Sequence, residues 1–151
     1  MTFLDTGFLK TDEIFLRQVE LDAGDPRRMW EPAYHFDICN SEGVPVGGCN
    51  LRLGHSKALY YAGNIGYKID PAYRGHRYAG KACRLLFDLA RRHGMEYVII
   101  TCNPDNWASR KTCERLGGTL AEIAELPEDA PMRLERGGTE KCIFRFDLPV
   151  E

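Results

Sequence analysis

The chain has 151 residues, 44% hydrophobic and 28% charged, with a formal net charge of −2. That size and mix point to one soluble globular domain over residues 1–151, and argue against intrinsic disorder and against a general nucleic-acid coat. No apolar run reaches the ~18 residues that cross a bilayer. The opening "MTFLDTGFLK" carries Asp5 and Gly7 and has no basic n-region, so it does not read as a signal peptide. The cytoplasm is the expected compartment.

In chain order, the first expected element is a strand over Glu13–Leu21, with Ile14, Leu16, Val19 and Leu21 as its apolar positions. Ala33–Asn40 alternates, Tyr34, Phe36 and Ile38 against His35, Asp37 and Cys39. "NSEGVP" is a turn, and Val46–Leu53 returns as the hairpin partner. Tyr60–Ile69 reads as a fourth strand, loosened by Gly63 and Gly66, where a bulge or a close approach by another group is expected. From Ala79 the apolar residues fall at Ala79, Ala82, Cys83, Leu86, Leu89 and Ala90, one face of a helix that stops at Gly94. "EYVIITC" is a short strand buried on both faces. Trp107–Leu116 is a second helix, capped by Asp105 or Asn106 and stopped by Gly117. Thr119–Leu126 is a strand, "PEDAPMRLERGG" a loop, and Lys141–Leu148 an alternating last strand. The order predicts an α/β fold on a mixed sheet: antiparallel N-terminal strands, then β-α-β-α-β-β with a right-handed parallel crossover.

The six cysteines (Cys39, Cys49, Cys83, Cys102, Cys113, Cys142) are scattered, with no C-x-x-C and no close Cys/His pair. They read as reduced packing thiols, not as a metal or redox site, and no metal is expected. Trp107 and Tyr97 read as core aromatics, and His55 and His93 as surface residues.

Between Pro71 and Phe87 there is no Asp or Glu, whereas Arg74, Arg77, Lys81 and Arg84 are present with Gly75 and Gly80. A strand ends, a basic glycine turn follows, and a helix begins. The first N–H groups of a helix have no partner within it and, with the helix dipole, favour an anion. Glycine lets the backbone come close to a ligand. The segment reads as a pyrophosphate cradle; a helix that simply follows a solvated turn is the alternative.

"IGYKIDPAYRGHRYAGKACRLL" resembles the central motif of the GNAT superfamily of acetyl-CoA-dependent N-acetyltransferases, [Q/R]-x-x-G-x-[G/A], with Arg74 in the first position and Ala79 in the last. "NPDNWASRKTCERLGG" resembles the family's later N-x-x-[A/S] helix, with Asn106 and Ser109 in the fixed positions and Gly117 at its end. The resemblance covers Tyr60 to Gly118 well and the last strands loosely. It implies that acetyl-CoA is the co-substrate. Its pyrophosphate would be held by the turn Arg74, Gly75, His76, Arg77, Tyr78, Ala79 and Gly80. Its pantetheine arm would meet main-chain groups of Tyr67 and Ile69 and the helix at Asn106 and Ser109, in a splayed gap beside the fifth strand.

This sequence departs from the family pattern in four places. Arg77 replaces the usual glycine. Only Asp22 to Glu31 separate the first two strands, where the family fits two helices that shape the acceptor side, so that side is expected to be open or completed by a second copy of the chain in a homodimer. Asn64 stands where many relatives carry an acidic base, and Asn cannot take a proton. Cys113 stands where many carry a tyrosine acid. An amine of pKa near ~10 must lose a proton before attack. That proton would leave through water, or through His35 or Asp37 on one strand face. Ser109 and Cys113 are the candidate donors to the leaving thiolate, and inert packing is the competing reading of Cys113. Glu122 to Glu135 holds five carboxylates and one Arg; it reads as a solvated loop, which near the acceptor side would favour a cationic amine. The acceptor is a small-molecule or peptide amine, with no nucleic-acid or membrane partner. A catalytically silent acyl-CoA-binding or regulatory GNAT-like domain is the alternative.

Overall fold

The computed structural model describes residues 2–28, 30–128 and 139–149. Seven strands and three α-helices follow one another: β1 (Ile14–Asp22), β2 (Ala33–Asn40), β3 (Pro45–Arg52), α1 (Lys57–Ala62), β4 (Ile65–Ile69), α2 (Tyr78–Arg92), β5 (Tyr97–Cys102), α3 (Trp107–Arg115), β6 (Thr119–Glu125) and β7 (Glu140–Asp147). Short 3-10 turns at Pro26–Arg28 and Pro71–Tyr73 complete the described elements. Of the expected loop between β6 and β7, residues 129–138 lie outside the described residues, and with them Asp129 and Glu135 of the acidic run.

The α/β class holds, but the sheet divides. β1-β2-β3-β4 form one antiparallel sheet and β5-β7-β6 another. The crossover through α2 brings β5 to β4 without giving them a shared ladder; the expected parallel pairing is replaced by a junction at one residue. The Asn64 backbone N–H donates to the Ile99 carbonyl at 2.7 Å, and its side-chain Oδ1 accepts from the Ile99 N–H at 2.8 Å. Its Nδ2 donates to the carbonyls of Arg52 at 3.0 Å and Gly54 at 2.8 Å. Asn64 is 1% exposed, so these bonds are sheltered from water. A buried amide with every group matched is a cheap way to join two sheet edges that would otherwise leave polar groups dry.

A second correction concerns Tyr60 to Ala62, which belong to α1 and not to a strand. Ser56 caps that helix by accepting from the Leu59 N–H at 3.2 Å, and Gly63 ends it with φ +86°. The capping hydroxyl and the terminal glycine decide the local conformation against the β-preference of two tyrosines.

α2 buries Ala82, Cys83, Leu85, Leu86, Phe87, Leu89 and Ala90. It packs on β1, β3 and β4, and the main core lies between this helix and the two sheets. β5 is buried on both faces: Val98, Ile100 and Cys102 join that core, while Ile99 joins a second cluster with Ala124 and Ile143 under Tyr60 and Tyr61. His93 is tied down at 2.6 Å to the Tyr34 hydroxyl and is not a free surface residue. All six cysteines are free and buried. No described helix is long and apolar enough to cross a membrane.

Candidate active site

Beyond Asn64 the ends of β4 and β5 diverge, and a cleft of about 1930 Å³ opens between them. Its walls include β4 from Ile65 to Ile69 and β5 from Ile100 to Cys102, continued by Asn103. It is closed at one end by the start of α2 and flanked by α3. The turn that leads into α2 is braced from within. The Arg74 Nε donates to the Ile69 carbonyl at 3.2 Å, and the Lys81 Nζ donates to the His76 carbonyl at 3.1 Å while pairing with Glu13. Gly75 has φ +94°, which only glycine adopts freely. A Cβ on Gly80 would meet nothing nearer than the Leu116 Cδ2 at 3.9 Å. Gly80 is therefore not demanded by the packing of the chain, and the space over the helix start is open to a ligand.

Arg77 is the one described non-glycine residue with positive φ, at 59°. The family's glycine at this position answers to that left-handed conformation, which an L side chain adopts at a cost of roughly 1–2 kcal/mol. Arg77→Gly should therefore stabilise the free protein by about 1 kcal/mol, raising its melting temperature by roughly 2–4 °C. A thermal melt showing loss of stability would mean that the guanidinium makes a compensating contact.

Cleft electrostatics are dominated by the turn and two helices. Arg74, Arg77, Lys81 and Arg84 come from the turn and α2, Lys111 and Arg115 from α3, and Arg52, Lys68 and Lys141 from β3, β4 and β7; Glu20 and Asp70 are the acidic residues in the lining. Trp107, Lys111 and Arg115 stand at i, i+4 and i+8, so one face of α3 looks into the cleft. This spacing is visible in the sequence and the reading above did not use it. The expectation for Trp107 is corrected accordingly: it is 63% exposed, with the Arg110 guanidinium over its ring at 4.4 Å. Tyr97 is stacked between His55, at 4.1 Å, and the Arg145 guanidinium, at 3.8 Å, away from the cleft.

The structure brings Tyr67, Ile69, Arg74, Gly75, Arg77, Tyr78, Ala79, Gly80, Asn106 and Ser109 to this one cleft. Asn106 caps α3 by accepting from the Ser109 N–H at 3.1 Å. His76 is not in the lining; its ring lies 5.3 Å from that of Tyr78. Cys113 is not in the lining either. It is 0% exposed on the core side of α3, and burial pushes its thiol well above the usual range. Of the two candidate donors, Ser109 lines the cleft and Cys113 does not, and the Ser109 hydroxyl meets a side chain that had no role in the sequence reading. The Tyr67 hydroxyl lies 2.6 Å from the Ser109 Oγ, spanning the cleft from β4 to α3. Burial holds the Tyr67 phenol far above its ordinary pKa, partly offset by the bond to Ser109. At position 64 the structure explains the missing carboxylate: the Asn64 side chain is fully used in joining the sheets.

A splayed strand pair that opens onto a basic, glycine-bearing helix start gives this α/β domain an elongated cleft with an anion-favouring end. The family model of the acetyltransferase (GNAT) domain matches residues 10–119, and the chain belongs to that family. Similar solved structures include the microcin C7 self immunity acetyltransferase MccE in complex with acetyl-CoA and AMP (TM-score 0.60, 21% identity, covering 76% of this chain and 61% of that one). The ribosomal L7/L12 alpha-N-protein acetyltransferase RimL gives a TM-score of 0.58 at 18% identity, covering 79% of this chain and 72% of its own. A GNAT-family acetyltransferase from Bacillus anthracis gives 0.60 at 17% identity, covering 75% and 65%. This chain thus spans about three fifths of the length of MccE. No curated protein matches the sequence.

Proposed function

We propose that the protein is an N-acetyltransferase that moves the acetyl group of acetyl-CoA to a primary amine by direct attack on the thioester. The observation that carries this reading is the cleft between β4 and β5, which runs to the braced basic turn at the start of α2. The turn from Arg74 to Gly80 would hold the pyrophosphate by backbone N–H groups and charge, His76 contributing its backbone alone. Main-chain groups of Tyr67 and Ile69 would line the pantetheine arm from one side, and Asn106 and Ser109 from the other. A β4 backbone N–H near Tyr67 or Ile69 would meet the oxyanion. Asn64 is occupied structurally, so the amine proton leaves to water or to a group on the open acceptor side.

The acceptor is a small-molecule or peptide amine. Two similar structures support that range, one a self immunity acetyltransferase and the other an alpha-N-protein acetyltransferase. The short connection between β1 and β2 leaves the acceptor side open, or for a second copy to complete. Six free buried thiols support a reducing compartment such as the cytoplasm.

Acetyl-CoA at 100 times its Kd should stabilise the fold by about 2.7 kcal/mol, which for a chain of this size raises the melting temperature by roughly 5–10 °C. Thiol release with a panel of amines then separates turnover from silent binding. A melting temperature indifferent to millimolar acetyl-CoA would overturn the assignment of the cleft. Binding without thiol release from any amine would leave an acyl-CoA-binding domain in its place.

A further inference from the structure

The hydroxyl pair formed by Tyr67 and Ser109 has a feature that neither residue has alone. It holds two protons, and one bond at 2.6 Å uses one of them. The direction of that bond decides which oxygen presents the remaining proton to the cleft. A serine in a helix ordinarily turns its proton toward the carbonyl one turn back, as Thr112 does here toward Ala108 at 3.0 Å. Ser109 is the third residue of α3, so the carbonyl one turn back belongs to Asp105, before the cap, and its hydroxyl is free to be aimed by the group that meets its oxygen.

We propose that Tyr67 is a positioning residue: its phenol donates to the Ser109 Oγ and so directs the Ser109 proton at the sulfur of the departing coenzyme A. The proposal rests on the acetyltransferase reading above. A phenol is the stronger donor and the weaker acceptor of the two hydroxyls, which favours this sense of donation across the 2.6 Å bond, and burial keeps the phenol in its protonated form. The Ser109 hydroxyl is half-buried and lines the cleft beside the Cys102 thiol, its second hydrogen-bond neighbour, which a bound coenzyme sulfur would displace as the acceptor of its proton. In the reaction the amine nitrogen bonds to the acetyl carbon and the C–S bond breaks. Sulfur keeps the electron pair and leaves as a thiolate, and the amine's proton goes to water. Ser109 donates a hydrogen bond to that thiolate and keeps its own proton, as a thiol of pKa near ~8.5 permits. The pair therefore takes over the place that the family gives to a tyrosine on this helix, with the phenol supplied from β4 and acting through a serine.

The test measures enzyme-dependent thiol release from acetyl-CoA, above the enzyme-free rate, with hydroxylamine, a small nucleophile already neutral at pH 7, beside calorimetric Kd values for coenzyme A. It compares the parent with Tyr67→Phe, Ser109→Ala, Ser109→Thr and the double variant Tyr67→Phe/Ser109→Ala. Ser109→Ala should lower kcat about ten- to a hundredfold, the worth of a hydrogen bond to a charged group. Tyr67→Phe should lower kcat by about tenfold with little change in Kd, and Ser109→Thr should restore most of the activity. The double variant should be no slower than Ser109→Ala, because Tyr67 acts only through that oxygen. The parent kcat should show no descending limb between pH 7 and about 9.5, since neither hydroxyl ionises there. Additive losses, or a Tyr67→Phe variant that changes Kd or melting temperature with kcat intact, would overturn the proposal and leave the acetyltransferase reading standing. No thiol release from the parent with hydroxylamine or with the amine panel would overturn both.

Discussion

Asn64→Ala should lower the melting temperature by roughly 10 °C, a loss of about 3–5 kcal/mol. The side chain makes three hydrogen bonds from a position with 1% exposure, and alanine leaves the Ile99 N–H and the Arg52 and Gly54 carbonyls without that partner. The loss falls where the two sheets meet, so the cleft should widen and coenzyme binding weaken along with stability. Asn64→Asp restores the carboxyl that many relatives carry and should still fail. One oxygen can accept from Ile99, but the other faces two carbonyls that need a donor. The ionised form is disfavoured there, so the folded-state pKa rises above the unfolded value near ~3.9. Below that value both states hold the proton and the variant is at its most stable. As the pH climbs toward the raised folded value, the unfolded chain has released a proton that the folded chain retains, and stability is lost. Thermal melts of the variant and the parent at pH 4.5 and pH 8 check this. An aspartate variant as stable as the parent at pH 8 would show that the sheet junction does not depend on the amide.

Gly80→Asp should weaken coenzyme A binding five- to a hundredfold while leaving the free protein as stable as before. Gly80 is the third residue of α2, and a Cβ there meets no atom closer than 3.9 Å. A carboxylate in a first helical turn is favoured by about 0.3–1 kcal/mol through the helix dipole, so folding has no reason to suffer. The same carboxylate would face the pyrophosphate. Repulsion there is on the order of 1–3 kcal/mol at the effective dielectric of a protein surface. Gly80→Ala is the control, since it adds bulk without charge and should bind within a few-fold of the parent. Calorimetry on the two variants gives the comparison, and equal affinities for the aspartate variant and the parent would displace the anion site from α2.

The parts of the molecule that could be read from the sequence are those whose determinants are local. The apolar stripe of α2, the alternation of β2 and β7 and the acid-free turn before Tyr78 each carry their own pattern, and the structure has them nearly residue for residue. α1 was hidden because six residues are too short to show a helical period, and Tyr60 and Tyr61 favour a strand; only Ser56 and Gly63, a cap and a stop, marked it. The division of the sheet was out of reach because the amide that ties the two halves together meets a strand 35 residues away. The Tyr67 side chain was missed for a similar reason. It meets Ser109 across a separation of 42 residues, and nothing near position 67 signals that an α3 hydroxyl will arrive there.

The six cysteines give the protein a built-in chemical record of its own opening. Each is buried, and desolvation lifts the thiols of Cys39, Cys49, Cys83, Cys102 and Cys113 above their ordinary range. Alkylating reagents consume the thiolate, so the folded chain is nearly inert to iodoacetamide at neutral pH while the unfolded chain offers six ordinary targets. Added mass therefore counts unfolding events one molecule at a time. Cys102 lines the cleft at 6% exposure, whereas Cys142, facing it on β7, is fully buried and stays unlabelled until that sheet parts. Label appearing at Cys102 without Cys142 would map the cleft loosening from its wall inward, a local fluctuation that a melting curve averages away.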